Sequence, residues 1–537
     1  MVLSIWPLLQ KKGRPFWRIA IVKTARSIDI PALTLDRRSR VPLHLQIYER
    51  LRAAVLTGAL RRGARLPATR ALAAELGLSR ATVLAAYEQL LAEGYLESRV
   101  GAGTRVARQL PESALHAPSS SRRARSQPLS AISPRTIATR GKRMAEDKFG
   151  PELRTAPRQW RVPFRVAVPA LDSVPFQIWS RLLSRHIRHA SPEILDYRDG
   201  RGLKRLRVAI AGHLSVSRGV RCTADQVLIT AGAQSAIDLA VRVLLDPGDA
   251  AVIENPSHLG IRGALKGAGA TIVPAPVDRE GLVLSGRHAP PTGTRLVFVT
   301  PSNQFPLAVT MSLPRRLALL DWAARANAWI LEDDYDSEFR FAGRPIEALQ
   351  ALDHANRVLY IGSFSKVLYP GLRLGYLVVP SDLIDTFAAA RRFIDVHPPV
   401  VFQAALADFI AAGHFGRHLR RMRVLYGERG QVLKDAVDRH LAGAIAMERP
   451  QAGLHAIGWL PQTADDSLVS RLAAEQGIEA RPLSLYAIGR IKPGLVLGFA
   501  SVPPQEIEKG VRTLARVLDG VTQRRRPPQV DIPGPAF

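Results

Sequence analysis

Cysteine is nearly absent. Cys222 stands alone among 537 residues, so no disulfide can form within the chain, and a reducing, cytoplasmic setting is expected. Cys222 itself reads as a small core or surface residue. No run of ~18 apolar residues occurs, which excludes a membrane-spanning helix by length. The first 23 residues mix Trp6, Phe16 and Trp17 with Lys11, Lys12, Arg14 and Arg18. They lack the apolar core and small-residue cleavage site of a signal peptide. Residues 1–34 are set aside as an extension of unassigned role, for which a start placed too far upstream is one reading. Acidic residues are also scarce: 46 Asp+Glu face 75 Lys+Arg, a net charge of +29. The excess is uneven, since residues 1–160 hold 29 Lys/Arg against 11 Asp/Glu. A basic front end points to a polyanionic partner, although a solvated basic tail has the same composition.

What is present suffices for large cores, with 47% hydrophobic residues, and the length predicts several domains. Residues 42–57 predict a helix, because Ile47, Leu51 and Val55 recur at i, i+4 and i+8 and Gly58 stops it. A second helix is expected from Ala68 to Leu76, ended by Gly77. Ser79 can cap a third, running to Glu93 with Val83, Tyr87 and Leu90 on one face. Two short helices joined by a tight turn make a helix-turn-helix. The stretch from Gly94 to Val106 reads as two short strands around a Gly-rich turn, a wing. In such a domain the third helix enters the major groove by its N-terminal residues, here Ser79, Arg80 and Thr82. Arg80 could read a guanine edge or a phosphate, and Arg70 could hold a backbone phosphate. Gly101 and Gly103 allow the wing a close approach to the minor groove. A helical protein-docking domain is the rival reading.

Residues 108–165 change character. Prolines 111, 118, 128 and 134, a Ser cluster and scattered Arg/Lys show no apolar period, the pattern of a flexible basic linker. From about Pro169, short apolar runs alternate with helical patterns. Candidate strands are Val227–Thr230, Ala251–Ile253, Thr271–Val273, Leu296–Thr300, Trp329–Leu331, Val358–Ile361 and Leu374–Val379. Runs apolar on both faces and separated by helices predict a mainly parallel sheet covered on both sides. Ligands of such sheets sit at the carboxyl ends of the strands, and polar residues cluster there. Gly232, Ala233 and Gln234 open a helix whose N–H groups can seat a phosphate. Pro301–Pro306 is a polar turn containing Asn303. Glu332, Asp333, Asp334 and Tyr335 follow another strand; with no His or Cys beside them a metal site is disfavoured. The last strand end leads into Ser363-Phe-Ser-Lys366-Val-Leu-Tyr-Pro-Gly-Leu-Arg373. A buried lysine is a good amine nucleophile toward an aldehyde. Two hydroxyls and a guanidinium suit a phosphate. A phosphorylated aldehyde, pyridoxal 5'-phosphate (PLP), fits this set, with an acid such as Asp333 to bond a protonated pyridine nitrogen.

Two resemblances follow from these strings. Leu66-Pro67-Ala-Thr-Arg70-Ala-Leu-Ala73, Leu78-Ser-Arg80-Ala-Thr82-Val83 and Gly94-Tyr95-Leu96 are similar to the winged helix of GntR-family transcription regulators. Residues 169–520 resemble the aminotransferase-like, fold-type I PLP domain, with Pro175-Phe-Gln-Ile-Trp179, Tyr197-Arg-Asp-Gly-Arg-Gly202, Gly413-His-Phe-Gly-Arg and Leu497-Gly-Phe-Ala500 as further matching strings. The two in this order resemble MocR-type regulators. The expected architecture is thus an N-terminal α+β winged helix-turn-helix over 35–107, the linker, an α/β aminotransferase-like domain over 166–520 and a tail over 521–537.

The resemblance implies roles. Lys366 would carry PLP covalently, Asp333 would pair the pyridine nitrogen, and Tyr335 the ring oxygen. Ser363, Ser365, Arg373 and the amides near Ala233 and Gln234 would hold the phosphate. Tyr197 would reach the phosphate of a partner subunit, implying a head-to-tail homodimer. There are departures. Where an aromatic ring is usual the chain has His258, which could stack instead. An arginine expected at position 496 to clamp an α-carboxylate is Val496, which cannot do so; Arg481 and Arg490 are the candidate substitutes, and the effector need not be an ordinary α-amino acid. The function implied is a regulator that binds a double-stranded DNA operator and senses an amine effector or PLP. An active aminotransferase with a fused regulatory domain is the alternative, and a PLP-free relic that only binds DNA is the weakest reading.

Overall fold

The computed structural model describes residues 35–525, without 38, 40, 100–102, 111–160 and 342–345. The chain divides into two compact units, Met1–Ala131 and Ile132–Phe537. In the first, helices α1 (Leu43–Leu56), α2 (Thr69–Leu76) and α3 (Arg80–Ala92) precede strands β1 (Leu96–Arg99) and β2 (Gly103–Val106). Gly77 ends α2 at φ +63°, a left-handed position that suits glycine. The apolar stripe of α1 (Ile47, Leu51, Val55) packs against Leu72, Val83, Tyr87 and Leu90, and the Tyr87 hydroxyl donates to the Pro67 carbonyl at 3.1 Å. β1 and β2 pair antiparallel from Leu96↔Val106 to Arg99↔Gly103, forming the wing.

The second unit is built on an eight-stranded sheet. Its strands are β3 (Val227–Thr230), β4 (Ala250–Asn255), β5 (Thr271–Asp278), β6 (Gly281–Leu282), β7 (Thr294–Val299), β8 (Trp329–Asp334), β9 (Val358–Ser363) and β10 (Gly375–Val378). The order across the sheet is β3-β10-β9-β8-β7-β4-β5-β6. β5, β4, β7, β8 and β9 pair in parallel, whereas β10 runs antiparallel to both neighbours. Alternate residues feed different cores, with Val227 and Ile229 in one cluster and Leu228 in the other, as a sheet covered on both faces requires. Every candidate strand is found.

The structure adds to the sequence reading in two places. The acidic residues read as following Leu331 lie partly within the strand, because β8 continues through Asp334, and each of its three carboxylates is buried with its own surroundings. A separate antiparallel sheet, absent from the sequence reading, is formed by β11 (His455–Trp459), β12 (Arg481–Pro482) and β13 (Gly494–Gly498) in the order β11-β13-β12.

The linker expected over 108–165 lies outside the described residues from 111 to 160. Its ends are packed: Leu110 is buried in the first unit, and Val162 and Phe164 are buried in the second. The Phe164 carbonyl accepts from the Gly498 N–H at 3.0 Å. Helix Pro504–Arg525 continues past residue 520, so the expected tail begins as helix. Among the described residues no helix is long and apolar enough to cross a membrane.

Candidate functional site

The first unit presents the N-terminus of α3. Ser79 is its N-cap, its Oγ accepting from the Thr82 N–H at 3.2 Å and lying 2.8 Å from the Thr82 hydroxyl. Both hydroxyls are therefore engaged in holding the helix start. Arg70 and Arg80 are exposed, as a phosphate or base contact needs. Gly103 has φ +77°, and a Cβ there would stand 3.1 Å from Arg65 Nε, so a basic side chain crosses the wing at this glycine. Gly101 lies outside the described residues.

The second site is assembled at strand ends. Ser363 ends β9 and pairs with Gly375 on β10, which in turn pairs with Thr230 on β3. This row needs Gly375: a Cβ there would stand 2.9 Å from both the Gly232 backbone and the Gly362 carbonyl oxygen. Gly232, at φ +95°, caps helix α4 (Ala233–Leu244). A Cβ on Gly232 would come within 3.4 Å of Arg373 Nη1, so the guanidinium lies at the helix N-terminus. Ser363 and Ser365 are buried, and the Ser365 N–H donates to Ser363 Oγ at 3.2 Å. Four groups suited to a phosphate thus converge here, two hydroxyls, a guanidinium and free helix N–H groups. Gln234 turns its side chain away, donating to the Gly260 carbonyl at 3.0 Å.

Lys366 Nζ donates to the Ala167 carbonyl at 2.9 Å. Burial lowers its amine to about 8, against the pull of Asp333 and Asp336. Asp333 is buried, and its Oδ1 has no hydrogen-bond partner among the described residues. Burial, with Asp334 adding, lifts its carboxyl to about 7 while Lys366 holds it down. Its neighbours in β8 are occupied elsewhere. Glu332 accepts the Leu349 and Gln350 N–H groups at 2.8 and 2.9 Å. Asp334 Oδ2 takes Arg218 Nε at 2.8 Å and the Tyr360 hydroxyl at 2.6 Å. Of the acidic run, Asp333 is the one with a fully buried carboxylate oxygen that has no partner among the described residues.

Tyr335 accepts from Asn303 Nδ2 at 3.2 Å, and the same nitrogen donates to both oxygens of Asp336, at 2.9 and 3.0 Å. Asn303 and Tyr335 are therefore brought together, with Asp336 as a partner the sequence reading missed. Gly453 closes over them, since a Cβ there would stand 2.3 Å from Asn303 Nδ2. His258 packs edge-on to Phe305, with centroids 5.9 Å apart. Burial and the Lys366 charge push its imidazole down to about 4, so it is neutral at neutral pH. Phe305 also contacts Tyr335, His455 and Tyr486 edge-on, and no local signal marked it. Tyr197 is 83% exposed, with its N–H on Asp196 Oδ1 at 2.7 Å; it makes no described contact with the other candidate residues. Among the described residues no three His, Cys, Asp or Glu side chains gather as a metal would need.

Known proteins share both halves. Residues 43–106 match the family described as bacterial regulatory proteins, gntR family, and residues 170–514 match aminotransferase class I and II. The chain is 43% identical over 483 residues to a probable rhizopine catabolism regulatory protein, MocR, of Rhizobium meliloti, covering 90% of this chain and 95% of that one. It is 33% identical over 501 residues to the HTH-type transcriptional regulator TauR of Rhodobacter capsulatus, covering 92% and 100%. Among solved structures, LysN, an α-aminoadipate aminotransferase of Thermus thermophilus complexed with N-(5'-phosphopyridoxyl)-L-leucine, aligns with a TM-score of 0.67. The two are 28% identical over 73% of this chain and 99% of that one.

Proposed function

The chain belongs to the MocR-type regulators, in which a GntR-family winged helix-turn-helix precedes an aminotransferase class I/II domain, and on that premise we propose that it is a DNA-binding transcription regulator whose second unit carries pyridoxal 5'-phosphate and senses an amine effector or the cofactor itself. One observation carries the reading: a buried lysine and a buried, unpartnered carboxylate stand at the same strand ends as a phosphate seat, on a chain that also bears a winged helix.

The residues fit the cofactor. The unpartnered Asp333 Oδ1 is an acceptor suited to a protonated ring nitrogen, which would also offset the cost of ionising that carboxyl. The Arg373 guanidinium at the start of α4, with Ser363 and Ser365, is a donor set suited to a phosphate dianion. When bound, PLP supplies an aldehyde carbon that condenses with primary amines and an electron-withdrawing ring. Lys366, with its amine lowered to about 8, is partly neutral near neutral pH and so nucleophilic. Tyr335, whose hydroxyl accepts from Asn303, would bond a ring oxygen. His258 is a neutral ring suited to pack on the cofactor's face. Tyr197, with Ile187 and Leu195, leaves exposed apolar surface within residues 187–197, which supports a head-to-tail homodimer in which Tyr197 serves the partner.

In the first unit Arg80 and Arg70 would contact the operator, and Ser79 and Thr82 would set the entry of α3. Binding should weaken steeply with salt, because cationic contacts release counterions. An effector would change DNA affinity only by its differential affinity for two states of the protein. The absence of a membrane-spanning helix among the described residues and the regulator relatives support a cytoplasmic location. The test is a visible absorption spectrum of the purified protein beside Lys366→Ala. A yellow band lost or shifted in the variant is expected. A protein that stays colourless with added PLP would remove the cofactor and leave only the DNA-binding reading.

A further inference from the structure

Away from the lysine, the larger unit carries a cationic cleft whose charges its own acids do not cancel. Helix α5 (His414–His440) packs against helix α7 (Pro504–Arg525), which also packs against α6 (Asp466–Glu475). Lys509, Arg512 and Arg516 recur at i, i+3 and i+7, so they share one face of α7. With His440 and Ala515 they line a cleft of about 440 Å³ beside the end of α5. Like charges at this spacing repel and cost helix stability. The nearby acids are spent on other cations. Glu508 takes Arg439 at 2.8 Å, and Glu506 stands 3.9 Å from Lys509. Arg516 donates to the Thr513 hydroxyl at 3.1 Å, and Arg512 has no partner among the described residues. His440 Nε2 is buried with no hydrogen bond among the described residues, because Glu508 Oε1 stands off at 3.7 Å, too far for one. Two positive charges are left over, those of Arg512 and Arg516, with an unused imidazole nitrogen beside them.

Arg516 also borders a second cleft, of about 320 Å³, between α7 and α6. Its character is different. Leu472 and Val517 give it an apolar wall, while Glu475, Gln476 and Thr513 offer donors and acceptors of the kind hydroxyl groups bond. The two clefts therefore join a cationic end to a largely neutral one, with Arg516 at the junction. Each guanidinium presents five N–H donors in a planar fork that matches a phosphate, and two of them balance a dianion. A phosphate monoester is a dianion on a small body, and the clefts are of the size that small ligands occupy. We propose that this double cleft binds a phosphate monoester of a small hydroxylated molecule. Arg512, Arg516 and His440 hold the phosphate, and the body lies past Arg516 against Leu472 and Val517. This site is separate from the phosphate seat at Arg373 and takes a ligand that needs no amine.

The test is calorimetric titration of glucose 6-phosphate into the full chain saturated with PLP, so that the seat at Arg373 is filled. Binding should weaken by about tenfold or more in Arg512→Met and in Arg516→Met, since each loses a charge-assisted hydrogen bond. It should be unchanged in Lys434→Met, whose lysine lies on α5 paired with Asp438 outside the cleft. Inorganic phosphate should bind more weakly than glucose 6-phosphate, and glucose should not bind. No binding by the wild type, equal binding in Arg512→Met, or inorganic phosphate as tight as glucose 6-phosphate would overturn the inference. An Arg512→Met chain that loses affinity for a short DNA duplex while binding glucose 6-phosphate as before would assign the face to nucleic acid and equally overturn it. If the protein takes up no PLP, the proposed function fails, and wild type against Arg512→Met still decides the cleft, because the seat at Arg373 is common to both.

Discussion

Asp333→Asn isolates the cost of keeping a carboxyl ready for a ring nitrogen. Burial and Asp334 lift the group from 3.8 to about 7. Well below pH 4 it is protonated in both folded and unfolded chains and makes no difference. Between 3.8 and about 7 the unfolded chain ionises while the folded one keeps its proton, so wild-type stability falls as pH rises. Above about 7 the cost is constant, and at ~1.4 kcal/mol per pH unit it reaches roughly 4 kcal/mol. Asparagine matches the protonated acid in shape and cannot ionise. The loss of a charge partner for Lys366 adds little at pH 8, where that amine is already about half neutral. In cofactor-free, full-length protein the variant should therefore exceed the wild type by roughly 1.5 kcal/mol at pH 5 and by up to roughly 4 kcal/mol at pH 8. Calorimetry of the larger unit's transition across that range reads the difference. With PLP present the order should reverse, since the variant loses the acceptor and retains the cofactor poorly. A difference that is flat with pH, or a cofactor-free wild type more stable at pH 8, would show that an ionised Asp333 is well accommodated without the cofactor and refute the reasoning.

Arg80→Ala should cost ~1–3 kcal/mol of DNA affinity at one base position if Arg80 reads a base edge; an equal loss on every sequence, seen by titrating single-base operator variants, would make it a phosphate contact. Ser79→Ala removes the side-chain cap of α3 and should lower the stability of the first unit by about 1 kcal/mol, read from its own unfolding transition; no change would mean the cap adds nothing there. Arg218→Met leaves Asp334 buried with only the Tyr360 hydroxyl of its two partners and should cost about 3–5 kcal/mol in the larger unit. A loss under 1 kcal/mol by calorimetry would show the pair to be replaceable.

How far the sequence could be read follows from how local each signal is. Cap and stop residues such as Ser79 and Gly77, and the run from Ser363 to Arg373, act within a few positions, so α3 and the lysine stretch are legible one by one. The phosphate seat was legible for a different reason: strand ends of a parallel sheet share one edge, so Gly232 and Arg373 could be expected together without knowing the distance between them. Asp333 was found but set just past its strand, because the sequence shows no partner for the acid beside it until the fold brings Arg218, 116 residues away, to Asp334. The Ala167 carbonyl, 199 residues from Lys366, carries no side-chain signal at all. Arg481 lay between: its residue type hinted at an anion, but only the register of β12 on β13 puts it opposite Val496. Residue chemistry therefore marks which groups can act, while strand register and strand ends decide which of them act on one ligand.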